Sequence, residues 1–471
     1  MEGTNRKIGK MAYSIAFFGD DFTGSTDALE TLAEMGLDTV LFTDVPTVEQ
    51  LQAFGDKQAI GIAGMTRTLP TAEIGEQLQR VFDLFSAMDV KHVHYKVCST
   101  FDSSPTIGSI GEAIDIGMDA FSAKLVPLVV GAPYLGRYCA FGNLFARMGT
   151  GGEGEVFRLD RHPSMAKHPV TPAKESDLRL HLAQQTNKTI GLIDVTQLDR
   201  LDALTIVRKI DEETQAAVTL FDAMTEQHLE RIGEVLEELS TRQQHPLYSV
   251  GSSAVSKALC AAWNKKGIVS PRTEWPTLES AKPLLVLSGS GSVVTGKQIE
   301  YAITHGFKEV PIDGVGLAND PDTYDLSAVV EEVREQMRMG RSVIVHTSIG
   351  PDDPRLGKTR EVLQARGLSS LEINGYTASL YGKTLAHIAD QVAQVMKLER
   401  VVVAGGDTSS LFARHLGIEA VEMVAPVVPG APLCEIHAQK PHIQGMTINF
   451  KGGQVGGIDY FLRMEKGGEL M

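Results

Sequence analysis

Short apolar runs alternate with amphipathic segments along the whole chain. In the first half, runs such as 14–18, 59–63 and 90–96 are separated by stretches whose apolar residues recur at helical spacing, such as 27–35 and 71–88. This rhythm is typical of β-α-β units, in which successive strands lie parallel and helices cover the sheet. The predicted strands of this half are 14–18, 39–42, 59–63, 90–96, 124–130, 189–194, 217–222 and 247–250.

The rhythm stops near residue 264 and restarts near residue 284. The stretch between them contains Pro271, Pro276, Pro283 and Gly267 and shows little periodicity, as expected of a linker. Beyond it we predict strands at 284–288, 343–347, 401–404 and 446–450, and helices at 295–305, 326–339, 378–394 and 409–416. A helix at 253–263 closes the first half.

A chain of 471 residues is too long for one ordinary core. We therefore predict an α/β fold of two domains, each with a mainly parallel sheet flanked by helices, and an active site in the interdomain cleft. The predicted organisation is a flexible arm over 1–10, a first domain over 11–265, a linker over 266–283 and a second domain over 284–471.

Charge and composition narrow the classes of partner. The net charge is −15 and no basic run occurs, which argues against nucleic acid or an anionic membrane surface as the main partner. The first ten residues lack the apolar core of a secretory signal, and no apolar stretch reaches membrane-spanning length. The sequence therefore predicts a cytoplasmic protein that acts on small molecules, with a homo-oligomer left open. Four scattered cysteines indicate free thiols.

An acidic motif follows the first predicted strand. The apolar run ends in Gly19-Asp-Asp-Phe-Thr-Gly24, at the kind of strand end where open α/β sheets bind ligands. Asp21 or Thr23 could simply cap the next helix. Alternatively, Asp20 or Asp21 could accept hydrogen bonds from a polyol and take the proton of a hydroxyl. The local pattern leaves both readings open.

Two cations follow neighbouring strands and should lie at the same sheet edge. Arg67 comes after the 59–63 strand, and Lys96 ends the 90–96 strand, just before Ser99 and Thr100. The two cations could together hold a carboxylate, with the arginine using its planar fork. The alternative is two surface cations on loops.

Two glycine- and serine-rich turns join strands to helices in the second half. They are Ser288-Gly-Ser-Gly-Ser292 and Gly405-Gly-Asp-Thr-Ser409. Small residues at such turns let backbone N–H groups approach and bind an anion, so the two turns could together bind a nucleotide. The segment from Gly291 to Lys297 has Walker A spacing, but Gln298 stands where Mg²⁺ coordination needs Ser or Thr, so a true P-loop is not expected. Generic turns are the alternative.

Five blocks in this order resemble the signature blocks of the four-carbon acid sugar kinases. The resemblance spans nearly the whole chain, and five ordered blocks are far more specific than any one of them. The blocks are Gly19-Asp-Asp-Phe-Thr-Gly-Ser-Thr-Asp27, Tyr95-Lys-Val-Cys-Ser-Thr-Phe-Asp102, Gly405-Gly-Asp-Thr-Ser409, Pro429-Gly-Ala-Pro432 and Lys451-Gly-Gly-Gln-Val-Gly456.

The resemblance implies an N-terminal domain that binds a sugar acid and a C-terminal domain that binds ATP. Family members act on D-threonate, D-erythronate or 3-oxo-tetronates, and a related branch acts on 3-oxo-isoapionate. The implied acid-sugar site consists of Asp20, Asp21, Lys96, Ser99 and Thr100, joined by Arg67. The implied nucleotide site consists of Ser290, Gly405, Gly406, Asp407, Thr408 and Gly453.

Residues and resemblance together predict an ATP- and Mg²⁺-dependent kinase. Arg67 and Lys96 would hold the carboxylate of the sugar acid, while Asp20 or Asp21 takes the proton of its terminal hydroxyl. The sequence does not identify the Mg²⁺ ligands. Two other classes stay open, a non-catalytic sugar-acid-binding protein and an isomerase or aldolase of phosphorylated sugars.

Overall fold

The computed structural model describes residues 12–148, 154–168 and 170–468, so the predicted arm over 1–10 lies outside the described residues. The chain divides into two compact units between Thr273 and Glu274, a point inside the predicted linker. Among the described residues, no helix is long and apolar enough to cross a membrane.

The N-terminal unit alternates strands and helices from its start. Its strands are β1 (Ala12–Gly19), β2 (Thr39–Phe42), β3 (Ala59–Ala63), β4 (Asp89–Lys96), β5 (Val126–Val129), β6 (Arg137–Ala140), β7 (Asn143–Arg147), β8 (Val156–Arg158), β9 (Ile190–Ile193), β10 (Val218–Phe221) and β11 (Leu247–Gly251). Its α-helices are α1 (Phe22–Glu34), α2 (Val48–Ala53), α3 (Thr71–Ala87), α4 (Ile110–Ala120), α5 (Leu178–Leu182), α6 (Val195–Arg200), α7 (Ala203–Lys209), α8 (Glu226–Thr241) and α9 (Ala254–Lys265). Single turns of 3₁₀-helix cover Thr66–Thr68, Pro133–Leu135, Leu159–Arg161 and Met165–Lys167, and a π-helical turn covers Ile210–Thr214.

Eight of these strands form one sheet, in which the described pairs are all parallel. Its order is β2-β3-β1-β4-β11-β5-β10-β9. Strands β2, β3, β10 and β11 are buried along their whole length, which explains their continuous apolar runs. Strands β6, β7 and β8 form a small antiparallel sheet that the sequence analysis did not predict.

The C-terminal unit repeats the alternation. Its strands are β12 (Leu285–Ser288), β13 (Lys308–Pro311), β14 (Val343–His346), β15 (Arg400–Ala404), β16 (Ala420–Ala425), β17 (Leu433–His437) and β18 (Thr447–Lys451). Its helices are α10 (Val293–Thr304), α11 (Gly314–Asn319), α12 (Ser327–Arg338), α13 (Pro354–Ala365), α14 (Ser370–Ala393), α15 (Gly406–Leu416) and α16 (Tyr460–Lys466).

The sheet of this unit is parallel through its first five strands, β13-β14-β12-β15-β18, and continues through antiparallel β17 and β16. A buried apolar cluster that includes Val286, Ile344 and Val402 packs against Phe461 of α16. The predicted α/β class, with mainly parallel sheets flanked by helices, is confirmed. Strands β13, β16 and β17 were not predicted.

Register brings the candidate residues to common sheet edges. In the N-terminal unit, Gly19 at the end of β1 pairs with Ala63 of β3 and Lys96 of β4. In the C-terminal unit, Ser288 at the end of β12 pairs with Ala404 of β15, which in turn pairs with Lys451 of β18. Each set therefore lies at the carboxyl edge of its own parallel sheet, where α/β folds bind ligands.

Candidate active site

An arginine and an aspartate form a bidentate pair at the edge of the N-terminal sheet. Arg67 donates from Nε to Asp20 Oδ2 at 3.1 Å and from Nη2 to Asp20 Oδ1 at 2.6 Å. The backbone supports this pair, because Asp20 N donates to Lys96 O and Arg67 N donates to Asp20 O. The side chain of Asp20 is 3% exposed and that of Arg67 is 20% exposed, so the carboxylate is nearly closed to solvent while the guanidinium remains partly accessible.

The neighbouring Asp21 has two roles. It is the N-cap of α1, since its Oδ1 accepts the N–H of Gly24 at 2.8 Å, and the same oxygen accepts Arg67 Nη2 at 2.6 Å. Helix α1 therefore begins at Phe22, five residues before the predicted start at 27. The capping interpretation of this motif is therefore confirmed for Asp21, whereas its role in a substrate site stays a prediction.

Burial dominates the electrostatics of Asp20. Removal from water raises the pKa of this carboxyl, while the adjacent Arg67 charge acts in the opposite direction and Asp21 adds to the rise. The net direction is upward. A carboxylate with a raised pKa and a fixed orientation has the properties of a general base.

Lys96 completes a cluster of three acids and two cations, Asp20, Asp21, Asp27, Arg67 and Lys96. Its side chain is 3% exposed, and its Nζ lies 3.4 Å from Asp27 Oδ2. Gly24 lies between the groups, since a Cβ added there would be 2.4 Å from Asp21 Oδ1 and 2.8 Å from Lys96 Nζ. A side chain at position 24 would therefore have to displace the charged ends of Asp21 and Lys96.

Ser99 and Thr100 lie on the loop after β4. Thr100 is buried, and its Oγ1 is 2.9 Å from Cys98 Sγ, whereas Ser99 is partly exposed. Burial raises the pKa of the Cys98 thiol to about 11, so the thiol stays protonated near neutrality. Asp102, which was not among the predicted site residues, has a buried Oδ1 without a hydrogen-bond partner in the described part of the chain.

The predicted nucleotide residues also converge, at the edge of the C-terminal sheet. Ser290 lies between β12 and α10, and the helix is capped by Ser292, whose Oγ accepts the N–H of Thr295 at 3.1 Å. Ser292 Oγ and Thr295 Oγ1 both donate to Gly453 O, the latter at 2.8 Å. The turn after β12 is therefore joined to the segment after β18.

The Gly405 turn packs against the Ser290 turn. Gly405 has φ +124°, a conformation that requires glycine, and its N–H donates to Lys451 O at 2.9 Å. Thr408 is buried beneath both turns, because a Cβ added at Gly289 would be 2.4 Å from Thr408 Oγ1. Gly406 and Asp407 begin α15, and Asp407 is exposed at the helix N-terminus.

These two turns are the candidate anion-binding edge of the C-terminal unit. They lead into the N-termini of α10 and α15, where the first N–H groups of a helix have no acceptor within the helix, and glycines keep side chains out of the space between them. Among the described residues, no group of three or more His, Cys, Asp or Glu is placed to hold a metal ion. Asp407 is the acid among the predicted nucleotide residues.

Sequence reasoning missed two parts of this edge. Ser348, on the turn after β14, is fully buried and donates from Oγ to Ser290 O at 3.2 Å. Lys451, the last residue of β18, is also fully buried, with Nζ 3.0 Å from Thr295 Oγ1. Lys451 begins the last of the quoted signature blocks, which was the available signal. The turn after β14 carried no comparable signal.

Comparisons with known proteins agree with this division of the chain. Residues 15–259 match a family model described as a sugar-binding N-terminal domain, and residues 285–461 match one described as a nucleotide-binding C-terminal domain. The chain belongs to the four-carbon acid sugar kinase family. The predicted family is thereby confirmed.

Relatives match along their full length. The chain is 39% identical to the 3-oxo-isoapionate kinase of Paraburkholderia graminis, over 99% of this chain and 97% of that protein. It is 27% identical to the 3-oxo-tetronate kinase of Salmonella typhimurium, over 96% of this chain and 98% of that protein. A crystal structure of a Salmonella typhimurium LT2 protein has a TM-score of 0.73 and 25% identity, covering 96% of this chain and 99% of that one.

Proposed function

We propose that the protein transfers the γ-phosphoryl group of ATP to the terminal hydroxyl of a four-carbon or branched, apionate-type sugar acid. The observation that carries the proposal is the Asp20–Arg67 pair beside Lys96, which combines a buried base with cations suited to a carboxylate. Full-length similarity to two sugar-acid kinases supports the same activity.

The acceptor is oriented by the cluster of acids and cations. Lys96, together with the remaining N–H groups of Arg67, attracts the carboxylate of the sugar acid. We assign Asp20 rather than Asp21 as the base, since Asp21 is already the cap of α1. As the hydroxyl oxygen bonds to phosphorus, its proton passes to the Asp20 carboxylate, and the bond to the β-phosphate oxygen breaks to leave ADP.

The donor is held at the edge of the C-terminal sheet. Backbone N–H groups near Ser290 and at the start of α15 meet the phosphates of ATP. Asp407 assists in holding Mg²⁺, which offsets charge on the transferring group when it is bound.

That the acceptor and donor meet in an interdomain cleft remains a prediction, as do the cytoplasmic location and the absence of nucleic-acid or membrane partners. The possible homo-oligomer is also untested.

A substrate panel tests the activity directly. ADP release should be stimulated by one or more acids from a set of D-threonate, D-erythronate, 3-oxo-tetronates and 3-oxo-isoapionate, and the product should be a phosphate monoester. The matching neutral polyols should be poor substrates, because they lack the carboxylate that Lys96 and Arg67 attract. If no acid in the panel stimulates ADP release above the ATP-only rate, the proposed kinase activity is wrong.

A further inference from the structure

Lys451 is a buried cation at the junction of the predicted nucleotide turns. It is the last residue of β18, and its relative exposure is 0%. Its ammonium donates to Thr295 Oγ1 at 3.0 Å and to the carbonyl of Gly452 at 2.9 Å, and it lies 5.7 Å from the centre of the Tyr460 ring. A lysine is rarely buried this completely unless a charge compensates it.

The described part of the chain supplies no such compensating charge. No carboxylate oxygen is within 4.0 Å of Lys451 Nζ among residues 12–148, 154–168 and 170–468, and both of its hydrogen-bond acceptors are neutral. An ammonium has three N–H donors, of which two are used here. Burial alone lowers the pKa of this amine to about 7, which is the expected response of a cation that lacks a counter-charge.

The surroundings of the ammonium are the residues that form the anion-binding edge. Thr295, its hydroxyl partner, lies in the first turn of α10, where the helix dipole already favours an anion. The same Thr295 hydroxyl donates to Gly453 O, and the backbone carbonyl of Lys451 accepts the N–H of Gly405. Lys451 therefore bonds directly to α10 and to the Gly405 turn, and it is joined to Gly453 through the Thr295 hydroxyl.

We propose that Lys451 is a cation of the nucleotide site, whose counter-charge is the polyphosphate of the bound nucleotide. The inference rests on the proposed function, because it names the group that recognises the phosphates of that donor. The ammonium fixes the 452–453 segment through its hydrogen bonds and adds positive charge beneath the N-terminus of α10. Binding of the polyanion favours the protonated amine, so nucleotide binding near pH 8 is accompanied by proton uptake.

Comparing the affinities for ADP and adenosine separates the effect of the Lys451 charge from the effect of its packing. Mg²⁺-free ADP and adenosine share the base and ribose, but only ADP carries phosphates. Replacing Lys451 by Met keeps the length of the side chain and removes the ammonium. In the full-length protein, Lys451→Met should weaken ADP binding by roughly 10- to 100-fold and leave adenosine binding within about threefold, because a charge-assisted interaction is lost only with the phosphates. Lys451→Arg should recover part of the ADP affinity.

Calorimetry measures proton uptake on ADP binding, a quantity that would not change in Lys451→Met if Lys451 had only a structural role. Titrating ADP at pH 8 in two buffers of different ionisation enthalpy gives the number of protons taken up on binding. The parent protein should take up a fraction of a proton, and Lys451→Met should take up none. Lys397→Met is the matched control, since Lys397 is 81% exposed in the same unit and pairs with Glu399; it should behave as the parent.

The outcomes separate this inference from the proposed function. If the parent protein binds neither ADP nor ATP, the proposed kinase fails. If the parent binds ADP, but Lys451→Met loses affinity for ADP and adenosine equally or keeps the parental proton uptake, Lys451 has only a structural role and the inference is wrong. If Lys451→Met does not fold, the proton uptake of Lys451→Arg decides instead. Arginine is already protonated at pH 8, so this variant should take up no proton on binding ADP, and parental proton uptake overturns the inference.

Discussion

Arg67 and Asp20 share two hydrogen bonds, of 3.1 and 2.6 Å, although the two residues are 47 positions apart in the chain. Parallel pairing of β1 with β3 places both residues just beyond the same sheet edge. The fork of Arg67 also reaches Asp21, so one guanidinium orients both acids of the motif. The acids are therefore rigid before any acceptor binds, which is the preorganisation that proton transfer requires.

Asp20→Asn should lower turnover by roughly 10²–10⁴-fold with little change in ATP binding, because the amide cannot take the hydroxyl proton. The rate should be measured in a single turnover, so that chemistry and not product release is observed. Asp83→Asn is the control, since Asp83 is exposed on α3 and bonds only Gln79. Near-parental chemistry in Asp20→Asn would remove Asp20 as the base.

Arg67→Ala should shift the acidic limb of the pH profile of kcat/KM to higher pH. The positive charge of Arg67 opposes the rise in the pKa of Asp20, so its removal raises that pKa further. Asp20 must be ionised to act as the base, and a higher pKa means that activity is lost at a higher pH as the solution is acidified. Arg67→Lys should shift the limb less. An unmoved limb in Arg67→Ala would show that Asp20 does not control the profile.

Lys96→Ala should raise the KM for the sugar acid by roughly 10- to 100-fold, because a charge-assisted hydrogen bond to the carboxylate is lost. The KM for ATP should stay close to the parental value. The informative comparison is with the neutral polyol, whose weak turnover should fall much less than that of the acid. An equal loss for acid and polyol would mean that Lys96 does not recognise the carboxylate.

Asp407→Asn should weaken the binding of Mg²⁺-ATP by roughly tenfold, while sugar-acid binding to the full-length protein stays unchanged. Calorimetric titrations with each ligand separately test both halves of this expectation. Asp322→Asn serves as the control, since the Asp322 side chain is 87% exposed and lies 3.9 Å from Lys383. Parental ATP affinity in Asp407→Asn excludes Asp407 from the nucleotide site.

Glu237 is a buried carboxylate at the centre of a hydrogen-bond network in the N-terminal unit, and we expect it to affect stability rather than catalysis. Its carboxylate accepts hydrogen bonds from Trp263 Nε1 at 2.9 Å, His92 Nε2 at 3.0 Å, Lys91 at 2.8 Å and Lys266 at 2.9 Å. These partners hold the pKa of Glu237 well below its usual range despite burial. Glu237→Gln should therefore lower the free energy of unfolding by about 2–4 kcal/mol at pH 7.

The pH dependence of that loss follows from the lowered pKa. The stabilisation from Glu237 is fully present above the unfolded-state pKa, about 4.5, and declines as the pH falls below it. Urea unfolding of the parent and Glu237→Gln should consequently differ less at pH 4 than at pH 7. Glu238→Gln is the neighbouring control and should cost under about 1 kcal/mol, because its pair with Arg242 is partly exposed. Equal losses in the two variants would contradict the central role of Glu237.

The alternation of strands and helices could be predicted from the sequence because buried parallel strands are continuous apolar runs. All twelve predicted strands are found, as the apolar runs of β3 and β15 illustrate. The antiparallel strands β16 and β17 were missed because their burial is uneven and their sequences include Glu422 and Glu435. In a single sequence, the mixed apolar and polar pattern of such half-exposed strands is hard to distinguish from that of a loop.

Helix starts were less accurate than strand positions. Helix α14 begins at Ser370, eight residues before its predicted start at 378, because Ser369 and Glu372 form a capping box ahead of the apolar stretch. Helix α1 likewise begins directly after its cap, Asp21. Capping is a local signal, but the prediction relied on apolar periodicity alone and so placed both starts too late.

The sequence by itself determined the fold class, the two-part organisation and the strand ends at which Asp20, Arg67, Lys96 and Gly405 lie, since each depends on local patterns. Only the tertiary structure decided that the Arg67 guanidinium donates two hydrogen bonds to the Asp20 carboxylate. That geometry depends on the register of β1 with β3 and on the turn at 66–68. Likewise, only packing between segments buries Lys451 where no described residue supplies a counter-charge. Burial and pairing across the sheet are set by distant residues, which no local pattern records.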